Sequence, residues 1–330
     1  MKLILTVPAY AQFARFAQDK AVESVRLNTT LPVKAPLEAV LNRIKAKAEP
    51  KDVWIDLKCR QLRITNYYVQ ILNDKEIHYI DLSHKIKVKT PTKIYIDDGN
   101  YVGKIEHIIN GNKLVVPSSV EKKRGLPLAN QGKVGIRPSM SINILHPSLQ
   151  IEGYLTDRDK KYIEAAKKAG LHNYMLSYVE HESDITDVLG LDTDAKIVAK
   201  IESKKGLDFV RNIYPKYKDK VNLMAARGDL YIEVEKPDQI IDACEEIISA
   251  DPYAMFASRL FESLKDVNKA PKCQDLFDIY CGMQMGYKRF LLGDDVCSRR
   301  DSVDAAIGLF DVMREKYERN MQSEQSEKSE

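Results

Sequence analysis

Two stretches decide the fold: Ala195-Lys196-Ile197-Val198-Ala199-Lys200-Ile201-Glu202 and Val221-Asn222-Leu223-Met224-Ala225-Ala226, with Leu207 to Tyr217 between them. The two outer stretches are short apolar runs, as expected of strands covered on both faces, and the middle one carries its apolar residues at helical spacing. Strand, helix and strand with short punctuation form a parallel βα unit. The same alternation continues outward. Downstream, Pro237 to Ser249 shows a helical stripe at Ile240, Ile241, Cys244, Ile247 and Ile248. It is followed by a strand over Tyr253 to Ala257, a helix over Cys273 to Gln284, a strand over Phe290 to Leu292 and a closing helix over Ser302 to Arg319. Upstream, Asn173 to Val179 reads as a strand and Asp184 to Leu191 as a short helix. Three further strands, Lys2 to Val7, Ser24 to Leu27 and Val53 to Leu57, flank a helix over Leu37 to Ala48. Eight such strands make a closed (β/α)8 TIM barrel of the α/β class the most economical architecture.

One segment breaks the alternation. Between Ile64 and Gln150, β-branched runs (Ile86 to Val88, Lys93 to Ile96, Leu114 to Val116), the turn pairs Asp98-Gly99 and Asn110-Gly111, and five tyrosines predict a small β-rich domain. Helical patterning resumes after Thr156, an N-cap candidate for Asp157 to Ala169. The expected organisation is therefore a first part of the barrel over 1–63, a β-rich lid domain over 64–150 inserted after barrel strand three, and a second part of the barrel over 151–321. The Ser/Glu/Gln-rich stretch 322–330 is expected to be a disordered tail.

At 330 residues, 44% hydrophobic and 30% charged, the chain has the composition of a folded soluble protein, with no apolar run of membrane-spanning length and no signal peptide at Met1 to Tyr10. A cytoplasmic location is expected, and no membrane partner. The five scattered cysteines form no C-x-x-C pair, so neither a disulfide framework nor a zinc site is indicated. A net charge of +3 gives no case for nucleic acid, but the charge is uneven: 64–150 holds 12 Lys/Arg against 7 Asp/Glu. The six histidines form no H-E-x-x-H motif, and Gly125 to Lys133 fails as a phosphate loop in its spacing and at Val134.

In such a barrel, chemistry sits at the C-terminal ends of the strands. Strand five ends in Lys200-Ile201-Glu202, where alternation sends Lys200 and Glu202 to one side, and strand six runs into Arg227-Gly228-Asp229. A lysine with two carboxylates converging there suits a hard divalent cation and an anionic substrate together. The alternative, a solvated lysine among surface acids, fits poorly with positions at strand ends.

These residues resemble the pyruvate kinase family, in Ala199-Lys200-Ile201-Glu202-Ser203-Lys204-Lys205-Gly206 followed by Ala226-Arg227-Gly228-Asp229-Leu230. Ala257-Ser258-Arg259-Leu260-Phe261-Glu262-Ser263-Leu264 is similar to that family's A-T-Q-M-L-E-S-M, Arg26-Leu27-Asn28-Thr29-Thr30 to R-L-N-F-S, and Asp56 to Arg63 to D-T-K-G-P-E-I-R. Ile96-Asp97-Asp98-Gly99 matches the family's lid, and Leu155-Thr156-Asp157-Arg158-Asp159 matches the return to the barrel. The resemblance implies that Glu202 and Asp229 hold Mg²⁺ or Mn²⁺, and that Lys200 neutralises charge on a phosphoryl group leaving phosphoenolpyruvate. It implies that Arg63 and Arg26 grip phosphate oxygens, while Gly228, Asp229 and Ser258 receive the substrate carboxylate and support protonation to pyruvate. ADP/ATP would meet the lid and the nearby barrel edge, with Asn28, Lys122, Lys123 and Arg124 as candidates; the basic run also reads as a solvated surface.

Departures from the family pattern carry their own expectations. A monovalent-cation site would use Asn28, Thr30 and Asp56, but Leu57 stands where the family has threonine and Gln61 where it has glutamate, so K⁺ is not expected to be required. The family's S-F-V-R becomes Ser177-Tyr178-Val179-Glu180, a charge reversal toward the nucleotide side. No counterpart of the family's C-terminal regulatory domain is present, so control by sugar phosphates is not expected. Two other readings stay open: a barrel acting on another 2-oxoacid enolate or phosphate acceptor, and a non-catalytic metabolite-binding paralogue. Homo-oligomerisation is also left open.

Overall fold

The structure, a computed structural model, describes residues 1–8, 14–30, 33–97, 99–117, 121–122, 135–266 and 270–327. Eight parallel strands close into a barrel in sequential order: β1 (Lys2–Val7), β2 (Val22–Asn28), β3 (Asp52–Leu57), β4 (Asn173–Leu176), β5 (Lys196–Ile201), β6 (Val221–Ala226), β7 (Met255–Ala257) and β8 (Arg289–Leu292). The helices are α1 (Leu37–Ala48), α2 (Asp157–Lys168), α3 (Glu182–Leu191), α4 (Lys204–Asn212), α5 (Arg227–Glu233), α6 (Gln239–Ala250), α7 (Cys273–Gln284), α8 (Asp294–Cys297) and α9 (Arg300–Glu327). Among the described residues, no helix is long and apolar enough to cross a membrane.

The strands are apolar on both faces because one faces the barrel interior and the other the helices. Ile4, Trp54, Met175, Val198, Met224, Ala226, Met255, Ala257 and Leu291 form one buried cluster inside the barrel. Two residues further along several of these strands, the same inward series turns polar: Thr6 on β1, Asp56 on β3, Ser177 just past β4 and Lys200 on β5. Alternation thus builds an apolar floor and a polar mouth from the same strands. Helix α6 buries Ala243, Cys244, Ile247 and Ile248, while Ile241, in the expected stripe, stays 50% exposed.

The chain divides into two compact units, 1–57 with 161–230 and 234–330, and 58–160 with 231–233. The second unit is the insertion expected after β3, and the expected boundaries at 63/64 and 150/151 fall inside it. It is built of antiparallel strands around Leu62, Ile64, Ile80, Leu82, Ile94, Ile96, Ile105, Leu114 and Val116. Asn110 and Gly111, expected as a turn, take φ of 53° and 81° between the strands His107–Ile109 and Lys113–Val116, and the Asn112 amide closes the turn on the Ile109 carbonyl at 3.3 Å. Asp98 lies outside the described residues. Thr156 caps α2 as expected: its Oγ1 accepts from the Asp159 amide at 3.1 Å, and Asp159 accepts from the Thr156 amide at 2.9 Å. The same Asp159 carboxylate accepts from the amides of Lys58 at 3.0 Å and Cys59 at 3.1 Å, tying both ends of the insertion together.

Three local expectations are corrected. Strand β4 stops at Leu176, because Tyr178 takes a left-handed φ of 51° that no strand can continue through. Strand β6 stops at Ala226, and Arg227-Gly228-Asp229 forms the first turn of α5 with Leu230 buried beneath it. The backbone of α9 is helical to Glu327, so 322–327 is not a disordered tail; its Gln, Glu and Ser residues simply prolong a helix whose earlier turns are anchored by Val303, Ala306, Ile307 and Phe310.

Candidate active site

A chain of charged groups runs along the polar mouth of the barrel from β1 to β5. Arg26, on β2, spends its guanidinium on three neighbours: Nε donates to Asp56 Oδ2 at 2.8 Å, Nη2 donates to the same oxygen, and Nη1 donates to Thr6 Oγ1 at 2.9 Å and Asp294 Oδ2 at 3.2 Å. Asp56 is fully buried, and its Oδ1 lies 3.6 Å from Lys200 Nζ. Lys200, 7% exposed, also donates to Ser177 Oγ at 2.8 Å and lies 3.0 Å from Glu202 Oε1. The remaining Glu202 oxygen accepts from the Tyr178 amide at 2.7 Å. The left-handed backbone of Tyr178 aims that N–H into the mouth, a use of strained geometry that belongs to functional sites.

The electrostatics follow from burial and these neighbours. Burial pulls the Lys200 pKa down, but the charges of Asp56 and Glu202 outweigh it and hold the ammonium above its ordinary value. Burial pushes the Glu202 carboxyl up to about 7; the Lys200 charge opposes this and the charge of Asp229 adds to it. Arg26 is held above its usual range by Asp56 and Asp294 despite its burial. Lys200 and Arg26 are therefore fixed cations, and Glu202 and Asp229 are two buried carboxyls whose charges oppose each other.

Lys200 and Glu202 are brought together as the alternation predicts, and Asp229 joins them from α5 instead of from a strand end. Gly228 packs against Ser258, where a Cβ at position 228 would stand 3.4 Å from the Ser258 hydroxyl oxygen. Asn28 donates its amide to Asp294 at 2.7 Å and accepts from the Thr30 amide at 3.1 Å. Arg63 belongs to the inserted unit, where its guanidinium donates to Gln61 Oε1 at 3.0 Å and to the Ser139 carbonyl at 2.7 Å. Lys122 is placed by its backbone in the strand Glu121–Lys122, and Lys123 and Arg124 lie outside the described residues.

Four residues of the mouth escaped the sequence reading. Ser177 was discoverable, since it continues the inward series of Met175. The Tyr178 amide was not, because nothing in the side chain announces a left-handed backbone. Asp294, just past β8, meets Arg26 on β2, and Arg227, just past β6, meets the end of β7, contacts between sequence-distant residues that no local pattern reports.

A family model described as the pyruvate kinase barrel domain matches residues 33–271, more than two-thirds of the chain. The pyruvate kinase of Borreliella burgdorferi is 25% identical over 244 residues, covering 67% of this chain and 47% of that protein. The pyruvate kinase of Naumovozyma castellii is 26% identical over 255 residues, covering 74% and 47%. That of Lachancea kluyveri is 28% identical over 226 residues, covering 66% and 41%. The chain thus spans about half the length of these curated relatives.

Proposed function

The chain belongs to the pyruvate kinase family, and on that footing we propose that its barrel transfers the phosphoryl group of phosphoenolpyruvate to ADP, giving pyruvate and ATP with Mg²⁺ or Mn²⁺ as cofactor. One observation carries the reading: a buried, permanently charged Lys200 stands 3.0 Å from Glu202, whose carboxyl is pushed up by burial and by Asp229. Carboxylate oxygens that repel one another in a buried mouth are a donor set suited to a hard divalent ion, and Glu202 and Asp229 would hold it. Bound there, the ion would supply neutralisation of the phosphate and enolate oxygens.

The chain's own residues do the rest. Lys200 faces the same carboxylate and stabilises negative charge as the phosphoryl group departs, with Ser177 and Asp56 fixing its direction. The Gly228 and Asp229 backbone and the Ser258 hydroxyl receive the substrate carboxylate, and Ser258 supports protonation of the enolate carbon. Arg63, which the family pattern assigns to phosphate, lies in the inserted unit. Arg26 is committed to Asp56, Thr6 and Asp294, so its part is to shape the phosphate side of the mouth through them. A monovalent ion is not required: of its family ligands, Asp56 is already held by Arg26 and approached by Lys200, Asn28 is tied to Asp294 and the Thr30 amide, and Leu57 is a buried apolar side chain.

The test is pyruvate formation from phosphoenolpyruvate by the purified chain. Turnover is expected to need both ADP and a divalent ion, to vanish on chelation, and to be equal in K⁺ and Na⁺ at matched ionic strength. Pyruvate formation that ignores chelation contradicts the metal assignment, and several-fold stimulation by K⁺ contradicts the monovalent one. A second reading, another phosphate acceptor or another 2-oxoacid enolate, is favoured by Glu180, which replaces the family's arginine and accepts from the Ser203 hydroxyl at 2.6 Å. Binding of oxalate, an enolate mimic, without binding of ADP selects it over the first.

A further inference from the structure

Just past β7 the backbone does something costly. Ser258 and Arg259 take φ of 77° and 60°, two consecutive non-glycine residues in the left-handed region. Such a conformation persists only where its surroundings over-determine it. Here the determinant is Arg227, the first residue of α5. Its Nε donates to the Ala257 carbonyl at 3.1 Å and its Nη2 to the Ser258 carbonyl at 2.5 Å. Both terminal nitrogens donate to the two oxygens of Asp278 on α7, one of them at 2.9 Å. The guanidinium carbon stacks 4.0 Å from the Phe256 ring centroid. The planar fork is thus clamped between a carboxylate and an aromatic face, and its free edge fixes the peptide groups on either side of Ser258. The result is that the Ser258 hydroxyl faces Gly228, where an added Cβ would lie in contact with it at 3.4 Å.

We infer that Arg227, braced by Asp278, is the positioning residue that sets the Ser258 hydroxyl for proton delivery to the enolate carbon. The inference rests on the pyruvate-forming reading above. In the step concerned, the enolate methylene carbon takes a proton from the hydroxyl, which regains one from water, and the C–O⁻ becomes the ketone of pyruvate. Arg227 touches no reacting atom. Its effect passes through the Ser258 backbone, so it falls on protonation more than on substrate binding. Lysine cannot replace it, because a single ammonium cannot serve two carbonyls and a bidentate carboxylate at once.

The experiment is a double-mutant cycle read by deuterium incorporation into the pyruvate methyl group, with Mg²⁺ and ATP in D₂O, alongside kcat and KM for phosphoenolpyruvate. Arg227→Met and Arg227→Lys are each expected to slow exchange and kcat by ~10-fold or more while KM changes less than ~3-fold. In a Ser258→Ala background, Arg227→Met is expected to change exchange by less than ~2-fold, because the group it acts through is gone. Losses that multiply in the double variant, or that fall on KM alone, overturn the inference. Thermal unfolding confirms that each variant folds; Asp278→Asn, which keeps its volume and removes only the brace, carries the same cycle should Arg227→Met fail to fold. A wild-type chain that neither forms nor exchanges pyruvate overturns the functional reading and this inference with it, whereas an active wild type with multiplicative losses overturns this inference alone.

Discussion

Asp56 sits between two cations, Arg26 and Lys200, with none of its surface exposed. Removing its charge leaves both cations buried and facing each other, and breaking a buried pair in this way costs about 3–5 kcal/mol. Asp56→Asn is therefore expected to lower the unfolding free energy by that order, read as a lower denaturant midpoint at unchanged m-value; a loss below about 1 kcal/mol would mean that water screens the pair. Arg26→Met with Asp56→Leu should recover part of the loss, since the Arg26–Asp56 pair is then removed together while Lys200 keeps Glu202 as its counter-charge. At this scale the sequence was informative where side-chain direction follows from strand parity. Lys200 and Glu202 two residues apart on one strand had to share a side. It was silent where a side chain meets a partner distant in sequence, as Arg227 meets Asp278, or where a backbone N–H does the work, as at Tyr178.

Helix α7 packs on the rings of Phe256 from β7 and Phe290 from β8 at Gly282. A Cβ there would stand 2.8 Å and 2.9 Å from the Phe256 ring and 2.9 Å from the Phe290 ring. Gly282→Ala gains about 1 kcal/mol of helix propensity, but overpacking two ring systems costs about 1–3 kcal/mol, and the rings have little freedom, since Phe256 also packs on Tyr287 and Arg227. A net loss of stability is expected, with a fall in kcat accompanying it because Phe256 supports Arg227; a variant as stable and active as the wild type would show that the helix shifts without cost. Elements were legible to the extent that their apolar period was long. Lys2–Val7, Leu37–Ala48, Val221–Ala226 and Cys273–Gln284 begin and end where the pattern says. The errors fell past strand ends, where β4 stops short at Leu176 and Arg227-Gly228-Asp229 turn directly into α5 to build the site, and there function overrides periodicity.

The whole molecule carries opposing pH sensitivities in its two units. In the inserted unit, burial lowers the pKa of His78 and His84, the latter against the pull of Asp159. The unfolded chain then binds more protons than the folded one below the ordinary value of 6.5, so this unit loses stability as pH falls through that range. Glu202 works the other way in the barrel: its raised pKa means that its share of stability is present below 4.5 and lost as pH climbs through about 7. The two are separated by substitution. His84→Gln is expected to flatten the decline in stability between pH 7.5 and pH 5.5, and Glu202→Gln to flatten the change of opposite sign; unchanged profiles in both would show that neither group is desolvated as described. The barrel and its insertion after β3 were readable because a β-rich, basic segment interrupts a regular βα alternation. The extent of α9 was not, because a polar helix and a polar coil share one composition.

The proposed chemistry stands or falls on whether Glu202 and Asp229, beside Lys200, hold a divalent ion. Titrating Mn²⁺ into the chain and following its free electron-spin signal measures this without any assay of turnover. One site per chain is expected, with an affinity that drops by ~10-fold or more in Glu202→Gln and in Asp229→Asn. Equal affinity in the wild type and both variants, or no site at all, would contradict it.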